Sequence, residues 1–432
     1  MQEALLHFIW KHQLLEAGDW RTTEGESVRV FRPGLHNQDA GPDFTEALLA
    51  IGKERWMGSI EIHCQAREWL LHGHQHDAAY NNVILHVVWE GADLIQRADG
   101  TILPVFELKP WVREEMLARY YLLWQQAQAI PCEKLLNEQI KAYFPTMLDR
   151  CGIERLELRT QEMAAHLDRC KGDWEQAFWC WLASAFGLTV NKEPMEQLAS
   201  QLNIHILHRF KDELIQLEAL LLGQAGFLQI KCEDAYLLQL QSEFQYLSKK
   251  LRLPTRRYFS WKFMRMRPGA FPSLRLAQLA MVLHQSMPLF QQLIACKELN
   301  LAIQILSSQP STYWQQHYRP GDAGKGKGGR PGEAMVQVWL INALIPAMFL
   351  YGRLMHQSHY EEKAIYWLES LPPEQNKIIH LYSAHHIQPQ NALQSQGMIE
   401  LHKHYCKEQR CLDCMIGSRL LMLKPTKHAK TG

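Results

Sequence analysis

Two apolar stretches joined by a glycine turn constrain the fold of this chain more than any other feature. Residues 44–51 and 55–64 flank Gly52, and two strands joined by so short a turn form a β-hairpin. Folding the chain about this turn pairs residue 51 with residue 54, which fixes the register of the whole hairpin. The sequence therefore predicts an early antiparallel pair within a sheet.

Three side chains with metal-binding chemistry meet at one end of the predicted hairpin. The register sets Asp43 opposite position 62, to within one residue, and alternation places Glu61 and His63 on one face. Hard divalent cations prefer carboxylate oxygens, and a cation held there can activate water. We expect Asp43 and Glu61 to bind Mg²⁺ or Mn²⁺, with Asn37 and Asp39 in supporting contacts just upstream.

The same residues resemble the motif of a nuclease superfamily. An Asp, a hairpin and then Glu-x-(basic residue) are similar to the PD-(D/E)XK core, with His63 in place of the usual Lys. The resemblance covers the N-terminal part of the chain and implies a restriction-endonuclease-like fold. It also implies a metal-dependent phosphodiesterase with Asp43, Glu61 and His63 as catalytic residues. An acidic residue on a preceding helix would complete the motif, and Glu3 and Glu16 are the two choices.

The whole chain also resembles an uncharacterised bacterial family, a domain of unknown function. This resemblance implies no activity, but it extends over nearly the full length. The phrases that carry it are NQDAGPDF, GSIEIH, YNNVILHVVW, RPGAFPSLRLAQLA, INALIPAMFLYG and YCKEQRCLDCMIG.

Histidines crowd the stretch around the hairpin and offer other interpretations of its chemistry. Such crowding suits a metal site. Residues 72–77 alone could form the transition-metal site of a metallohydrolase of another class. A third hypothesis is a degenerate nuclease core that only binds nucleic acid or protein. The ligand-type side chains in the stretch are His36, Asp39, Asp43, Glu61, His63, His72, His74, His76, Asp77 and His86.

Composition describes an ordinary globular chain without a strong global charge. Its 432 residues are 47% hydrophobic and 21% charged, with a formal net charge of +1, so any nucleic-acid site must be a local patch. The first residues lack the apolar core of a signal peptide. The ten cysteines lie mostly singly among helical segments, as is usual in a reducing compartment. We therefore expect a cytoplasmic protein. The sequence does not indicate its oligomeric state.

The pattern of apolar residues changes at Pro110 and predicts an α+β chain. A helix at 3–17 precedes the strands, and beyond Pro110 apolar spacings of three and four predict helices throughout. We expect an N-terminal mixed β-sheet domain at 1–110, a helical domain at 111–400 and a cysteine segment at 401–432. The predicted strands, of which the last two form a hairpin, are 27–32, 44–51, 55–64, 83–89 and 101–108. The predicted helices are 113–129, 153–169, 174–186, 195–202, 205–222, 235–247, 274–284, 289–295, 335–353 and 359–371.

Two segments partly match the patterns of a membrane-spanning helix and of a phosphate-binding loop. Residues 334–352 are mostly apolar and barely long enough to cross a bilayer, but Pro346 and two polar residues interrupt them. We interpret this segment as a buried helix kinked or broken at Pro346, and we expect no membrane partner. Residues 321–328 match the spacing of a phosphate loop, but Gly328 stands where Ser or Thr would bind Mg²⁺. We interpret them as a glycine-rich loop without that function.

The most basic window of the chain is the expected nucleic-acid contact. Basic and aromatic side chains alternate over residues 256–275, and no acidic residue intervenes. Basic side chains neutralise phosphates, and aromatic rings stack on unpaired bases. The competing interpretation is a loop pinned to the core by its aromatic residues, with its arginines in solvent. The residues expected to contact DNA or RNA are Arg256, Arg257, Trp261, Lys262, Arg265 and Arg267.

Three C-terminal cysteines carry a second metal-binding pattern. Cys406, Cys411 and Cys414 have the spacing C-x4-C-x2-C, and His402 lies one helical turn before the first of them. Three Cys and one His complete a tetrahedral zinc site. Some helicase-associated nucleases hold an iron–sulfur cluster instead, which would need a distant fourth cysteine such as Cys132. We expect Zn²⁺ in preference to iron–sulfur, and three unligated thiols are the alternative.

Overall fold

The computed structural model describes residues 2–91, 93–97, 99–125, 128–254, 259–323 and 329–423. The α+β prediction is confirmed, with a mixed sheet near the N-terminus and a mostly helical remainder. The chain forms two units, Met1–Met147 with Leu401–Gly432, and Leu148–Glu400. The first unit contains the sheet and also residues 111–147 and the C-terminal segment. The division into three domains at 1–110, 111–400 and 401–432 stays a prediction.

Strands are concentrated before Pro110 and helices after it, as the apolar pattern predicts. The strands among the described residues are β1 (Val28–Arg32), β2 (Leu35–His36), β3 (Phe44–Ile51), β4 (Glu54–Gln65), β5 (Val83–Glu90), β6 (Ile95–Gln96), β7 (Ile102–Leu103), β8 (Val105–Glu107), β9 (His317–Arg319) and β10 (Asp322–Ala323). The helices are α1 (Glu3–His12), α2 (Glu68–Leu71), α3 (Glu114–Gln125), α4 (Glu138–Lys141), α5 (Phe144–Arg169), α6 (Trp174–Phe186), α7 (Lys192–Gln201), α8 (Ile204–His208), α9 (Leu214–Gln224), α10 (Ala235–Lys250), α11 (Pro272–Gln285), α12 (Leu289–Ala295), α13 (Leu299–Leu306), α14 (Glu333–Trp339), α15 (Ile345–Leu354), α16 (Ser358–Ser370), α17 (Lys377–Ser383), α18 (Ala392–Glu400) and α19 (Met415–Met422).

The main sheet has the strand order β1-β3-β4-β5-β8, with β2 paired to β3. Strands β1, β3 and β4 are antiparallel neighbours, whereas β4, β5 and β8 run parallel. Strand β5 is buried on both faces along most of its length, which explains its uninterrupted apolar sequence. The predicted hairpin of 83–89 with 101–108 is wrong. The second predicted strand is divided into β7, which forms a small hairpin with β6, and β8, which pairs with β5 in parallel.

The predicted hairpin between β3 and β4 is confirmed together with its register. Ile51 pairs with Glu54 across the turn, as expected. Nearer the open end of the hairpin the pairing shifts by one residue, so that Phe44 faces Ile60. This β-bulge accounts for the one-residue error allowed in the predicted position of Asp43.

Helix α1 packs against strand β4 and brings two polar side chains to the end of the sheet. Its buried side carries Leu6, Ile9 and other apolar residues. The helix ends at His12 rather than at the predicted residue 17, because the next residue adopts a left-handed conformation. Glu3 and His7 lie one turn apart, so they occupy one face of the helix.

The helical unit Leu148–Glu400 is built around helices that are buried on most sides. Helices α11 and α15 bury most of their residues. Side chains cap several other helices: Asp173, Asp234 and Asn376 each accept a backbone N–H in the first turn of α6, α10 and α17. The single helix predicted at 205–222 is wrong, since the chain breaks between α8 and α9.

The apolar segment 334–352 lies within one long helical stretch, Glu333–Leu354. A π-helical turn at Leu340–Leu344 separates α14 from α15 and places Pro346 in the first turn of α15, which relieves its missing N–H. By length and composition this stretch could cross a membrane, but 67% of its most apolar window is buried inside the structure. That burial agrees with the expected core helix. The predicted glycine loop falls largely on residues 324–328, outside the described residues.

Candidate metal centre

Asp43 stands where the loop after β2 enters β3, and backbone hydrogen bonds fix it there. The N–H of Asn37 donates to the carbonyl of Asp43 at 2.7 Å, and the Asn37 amide donates to the carbonyl of Pro42 at 3.1 Å. Across the hairpin, Oδ2 of Asp43 accepts the N–H of Ile62 at 2.8 Å. The N–H of Asp43 donates to Oε2 of Glu61 at 3.2 Å. The two predicted carboxylates are thus brought together, and Asn37 shapes the loop that carries one of them.

His63 lies beside Glu61 in a chain of contacting imidazoles. Its Nδ1 is 2.9 Å from Nε2 of His86, and its Nε2 is 3.1 Å from Nδ1 of His72. The same Nε2 is 3.5 Å from Oε1 of Glu61. Nε2 of His74 approaches that oxygen at 3.3 Å. The connection between β4 and β5 therefore brings His72 and His74 to the predicted site. The carboxylate site at the hairpin and the histidines of segment 72–77, which the sequence analysis treated as separate metal sites, lie side by side.

The side chains form two ligand groups, in each of which the three ligand atoms lie within 4.8 Å of one another. Glu61 connects the groups, because one of its oxygens faces the imidazoles and the other accepts the N–H of Asp43. In the second group, Nε2 of His7 is 3.2 Å from Oδ2 of Asp43. The imidazole group consists of His63, His72 and His74, and the mixed group consists of Glu3, His7 and Asp43.

Burial governs the ionisation of Glu61 and His63. Burial, and then the neighbouring Asp43 carboxylate, raises the pKa of Glu61 to about 8. Burial, followed by His74 and His72, lowers the pKa of His63 to about 3. Without a cation, Glu61 and His63 are therefore mostly neutral at pH 7, and their contact is not an ion pair. A divalent cation would shift the protonation equilibrium of Glu61 toward its ionised form.

Buried nitrogen atoms around the cluster lack hydrogen-bond partners, which is unusual in a protein interior. Among the described residues, Nε2 of His7, Nε2 of His74, Nδ1 of His86 and Nε1 of Trp69 are in this state. The first two each face a carboxylate oxygen at 3.2 and 3.3 Å without the geometry of a hydrogen bond. Donor atoms placed in this way fit a shared cation, which would satisfy imidazole and carboxylate together.

Other predicted residues lie outside the two ligand groups. Asp39 and His76 are exposed, and Asp77 accepts a backbone N–H at the start of a short 3-10 helix. Among the described residues, His72 and His74 group with His63 rather than with His76 and Asp77, and a metal site formed by 72–77 alone stays a prediction. Of the two acidic choices, Glu3 joins the mixed ligand group, whereas Glu16 approaches an arginine at 3.7 Å.

His7 is the ligand-type residue that the sequence reasoning missed. It lies one helical turn after Glu3 on α1, and this spacing places both side chains on one face. The rest of the helix is largely apolar and buried. A pair of ligand-type residues at that spacing on an otherwise apolar helix was the available signal.

The basic window belongs to the helical unit, and part of it is fixed to that unit. Arg256 and Arg257 lie outside the described residues. Trp261 is half-buried and its indole N–H donates to the carbonyl of Ala225 at 2.9 Å, so this ring is anchored in the unit. The pinned loop is thus observed at Trp261, and the contact with nucleic acid stays a prediction. The exposed basic side chains are those of Lys262, Arg265 and Arg267.

The C-terminal cysteines belong to the unit that contains the sheet. Cys406 ends a π-helical turn that also carries the buried His402, and Cys414 directly precedes α19. Cys411 lies in the loop between them. Burial, and then Lys407, lowers the pKa of His402. The role of His402 as a zinc ligand stays a prediction.

Comparison with known proteins assigns a family without a chemistry. A family model described as "Protein of unknown function (DUF2851)" matches residues 3–377. Comparisons with curated proteins and with solved structures find no match. The matched region includes both ligand groups and Glu61, and it ends before the three C-terminal cysteines.

Proposed function

The chain belongs to the family described as a protein of unknown function (DUF2851), and we propose that it is a divalent-metal-dependent phosphodiesterase acting on DNA or RNA. The observation that carries the proposal is the convergence of Asp43, Glu61 and His63, joined by the two ligand groups. Carboxylates and imidazoles are the ligands of hydrolytic metal centres. A cation held among them supplies Lewis acidity toward a phosphoryl oxygen and a water of lowered pKa.

The ligand types favour Mn²⁺ over Mg²⁺ at this centre. Mg²⁺ prefers oxygen ligands, whereas imidazole suits transition metals. Because burial keeps His63 neutral, its ring offers a lone pair and carries no positive charge. The change from the usual Lys of the PD-(D/E)XK motif to His63 therefore turns a cationic position into a metal-ligand position.

Neighbouring groups hold the ligands in place. His86 contacts Nδ1 of His63, which leaves Nε2 directed toward Glu61 and the other imidazoles. The ring of Tyr80 stacks on His74 with centroids 3.9 Å apart. These contacts restrict the rotation of both rings, so the ligand atoms are positioned before a cation arrives.

The cluster is buried on one side and exposed on the other, so a substrate can reach it from the exposed side. His63 and His86 are buried, whereas His72 and Glu3 are exposed. The choice of a nucleic acid as substrate rests on the motif resemblance at the hairpin. It also rests on the exposed basic side chains of the helical unit, which can neutralise phosphates.

The direct test compares Asp43→Asn and Glu61→Gln with the wild type on single- and double-stranded DNA and RNA, with Mn²⁺ or Mg²⁺. Each substitution removes a ligand charge while keeping the side-chain shape. We expect cleavage to fall by at least about 100-fold in both variants. Glu54→Gln, an exposed substitution at the turn of the same hairpin, should cleave as the wild type does. Wild-type cleavage by both ligand variants would refute the assignment.

A metallohydrolase of another class is the second candidate, and the imidazole group favours it. The ligand atoms of these three histidines lie within 4.8 Å of one another, and a transition metal held by them would need no polyanionic substrate. Metal-dependent hydrolysis of small esters without cleavage of any nucleic acid, lost in His74→Ala, would select this class. Binding of nucleic acid without hydrolysis under any metal would instead select the degenerate binding module.

A further inference from the structure

Strands β1, β3 and β4 expose one face of the main sheet near the turn of the hairpin. Residues that pair directly across neighbouring strands point to the same side of a sheet. One such row consists of Arg29, Ala50 and Arg55, and in the next row Leu48 joins β1 to β4. The exposed side chains of this face form a surface that we call the arginine–phenylalanine patch. Its members are Arg29, Phe31, Arg32, Arg55 and Met57.

We propose that the arginine–phenylalanine patch binds a single-stranded nucleic acid and leads it to the metal centre. The path to the metal centre rests on the proposed function, whereas the binding itself does not. Arginines supply all the charge of the patch, and none of its residues is acidic. Outside the metal centre, the acidic residues of the three strands are Glu46 at the bulge of β3 and Glu54 at the turn. A polyanion is therefore the partner whose charge fits this face.

Phe31 contacts two arginines at the surface of the sheet. Its side chain is 42% exposed, and the guanidinium carbons of Arg29 and Arg55 lie 5.3 and 5.0 Å from the centre of its ring. Two cations that share one ring repel each other, and a phosphate beside them relieves this repulsion. A guanidinium that turns toward a phosphate leaves a ring face on which an unpaired base can stack.

The apolar part of the patch favours a single strand over a duplex. Met57 is 64% exposed and lies on the same face as Phe31. A lone exposed phenylalanine under an arginine is common on protein surfaces and needs no ligand. Two apolar side chains among arginines instead form the mixed surface that unpaired bases and phosphates require together. A duplex offers phosphates without free base faces, so it would leave Phe31 and Met57 uncovered.

Strand β4 connects the patch to the metal centre along one face of the sheet. The register shifts on its two sides lie in β3 and β5, so the side chains of β4 alternate regularly. Arg55, Met57, Glu61 and His63 therefore point to the same side. From Met57 to Glu61 the strand rises by about 13 Å, a length that about four stacked nucleotides span. Beyond Glu61 the connection with α2 and His72 contacts the strand, so a nucleic acid crossing the patch meets the metal ligands there.

Fluorescence anisotropy with a single-stranded oligonucleotide of about 12 residues tests the patch, in a chelator that prevents cleavage. The full-length variant with Arg29→Gln and Arg55→Gln should bind at least about tenfold more weakly, with a salt slope lower by about 1.4. Phe31→Ser should weaken binding at least about fivefold at an unchanged slope, and Phe31→Tyr should bind as the wild type does. The matched control, Lys11→Gln with Lys134→Gln, removes two exposed cations of the same unit outside the patch and should keep wild-type affinity.

Three results would overturn the assignment of the patch. They are wild-type affinity of the double arginine variant, equal weakening in the lysine control, and a wild type that binds no oligonucleotide. A dimer in sedimentation that Phe31→Ser dissociates, without oligonucleotide binding, would instead assign the patch to a second copy of the chain. Photo-cross-linking of the wild type to a 4-thiouridine strand needs no variant to fold. Cross-links in β1 or β4 support the patch, and cross-links confined to other elements refute it.

Adding Mn²⁺ separates this inference from the proposed function. At strand concentrations below the Kd, cleavage by the double arginine variant should fall by the same factor as its affinity. Weakened binding with no cleavage by the wild type would support the patch and refute the phosphodiesterase. Weakened binding with unchanged cleavage would refute the path from the patch to the metal centre. Unchanged binding and cleavage would refute the patch alone.

Discussion

Glu218 provides a quantitative test of how burial controls ionisation in the helical unit. It lies on α9 with 1% of its surface exposed. Its carboxyl accepts the hydroxyl of Tyr236 at 2.5 Å and that of Ser311 at 2.8 Å. Burial nevertheless dominates and raises the pKa of Glu218 from 4.5 to about 7.

The sign and size of the effect follow from the two pKa values. The folded state holds the proton more tightly than the unfolded chain, so protonated Glu218 stabilises the fold fully below pH 4.5. That stabilisation is lost as the pH rises to about 7 and stays lost above it. The difference between the pKa values corresponds to about 3 kcal/mol, of which about 2.5 kcal/mol falls between pH 5 and pH 8.

The perturbation is Glu218→Gln, which keeps a hydrogen-bonding amide but removes the titration. We expect the free energy of unfolding of the variant, relative to the wild type, to rise by about 2.5 kcal/mol from pH 5 to pH 8. Urea unfolding followed by circular dichroism at both pH values measures it. Glu233→Gln, an exposed neighbour of α10, should show no such change. A relative stability of Glu218→Gln that is the same at both pH values would show that Glu218 folds in its ionised form.

Two further predictions concern packing and the basic window. Gly397→Ala should lower the free energy of unfolding by about 1–3 kcal/mol in urea, because its Cβ would lie 1.9 Å from the carbonyl oxygen of Leu148. Gly269→Ala, with nothing within 4 Å, should leave stability unchanged, and equal stability of the two variants would contradict the reasoning. Reversing the charges of Lys262 and Arg265 should weaken binding of a single-stranded oligonucleotide and lower its salt slope by about 1.4 in fluorescence anisotropy. An unchanged slope would remove this window from the interface.

Local patterns in the sequence determined the hairpin and the face on which two of the site residues lie. The turn at Gly52 has a φ of 60°, which glycine adopts without strain, and it fixes the pairing of Ile51 with Glu54. Alternation then places Glu61 beside His63 whatever the rest of the chain does. Apolar spacings of three and four determined that the chain after Pro110 is mostly helical. They also gave the bounds of α6 at 174–186.

Tertiary structure alone decided which distant residues meet. Strand β8 runs parallel to β5 because the chain crosses back after β6–β7, and no short pattern marks that crossing. His7 reaches Asp43 only because α1 packs on the sheet. Periodicity and turn chemistry act between residues that are neighbours in the chain. The choice among distant partners depends on the apolar surface that the whole fold buries, which a local pattern does not encode.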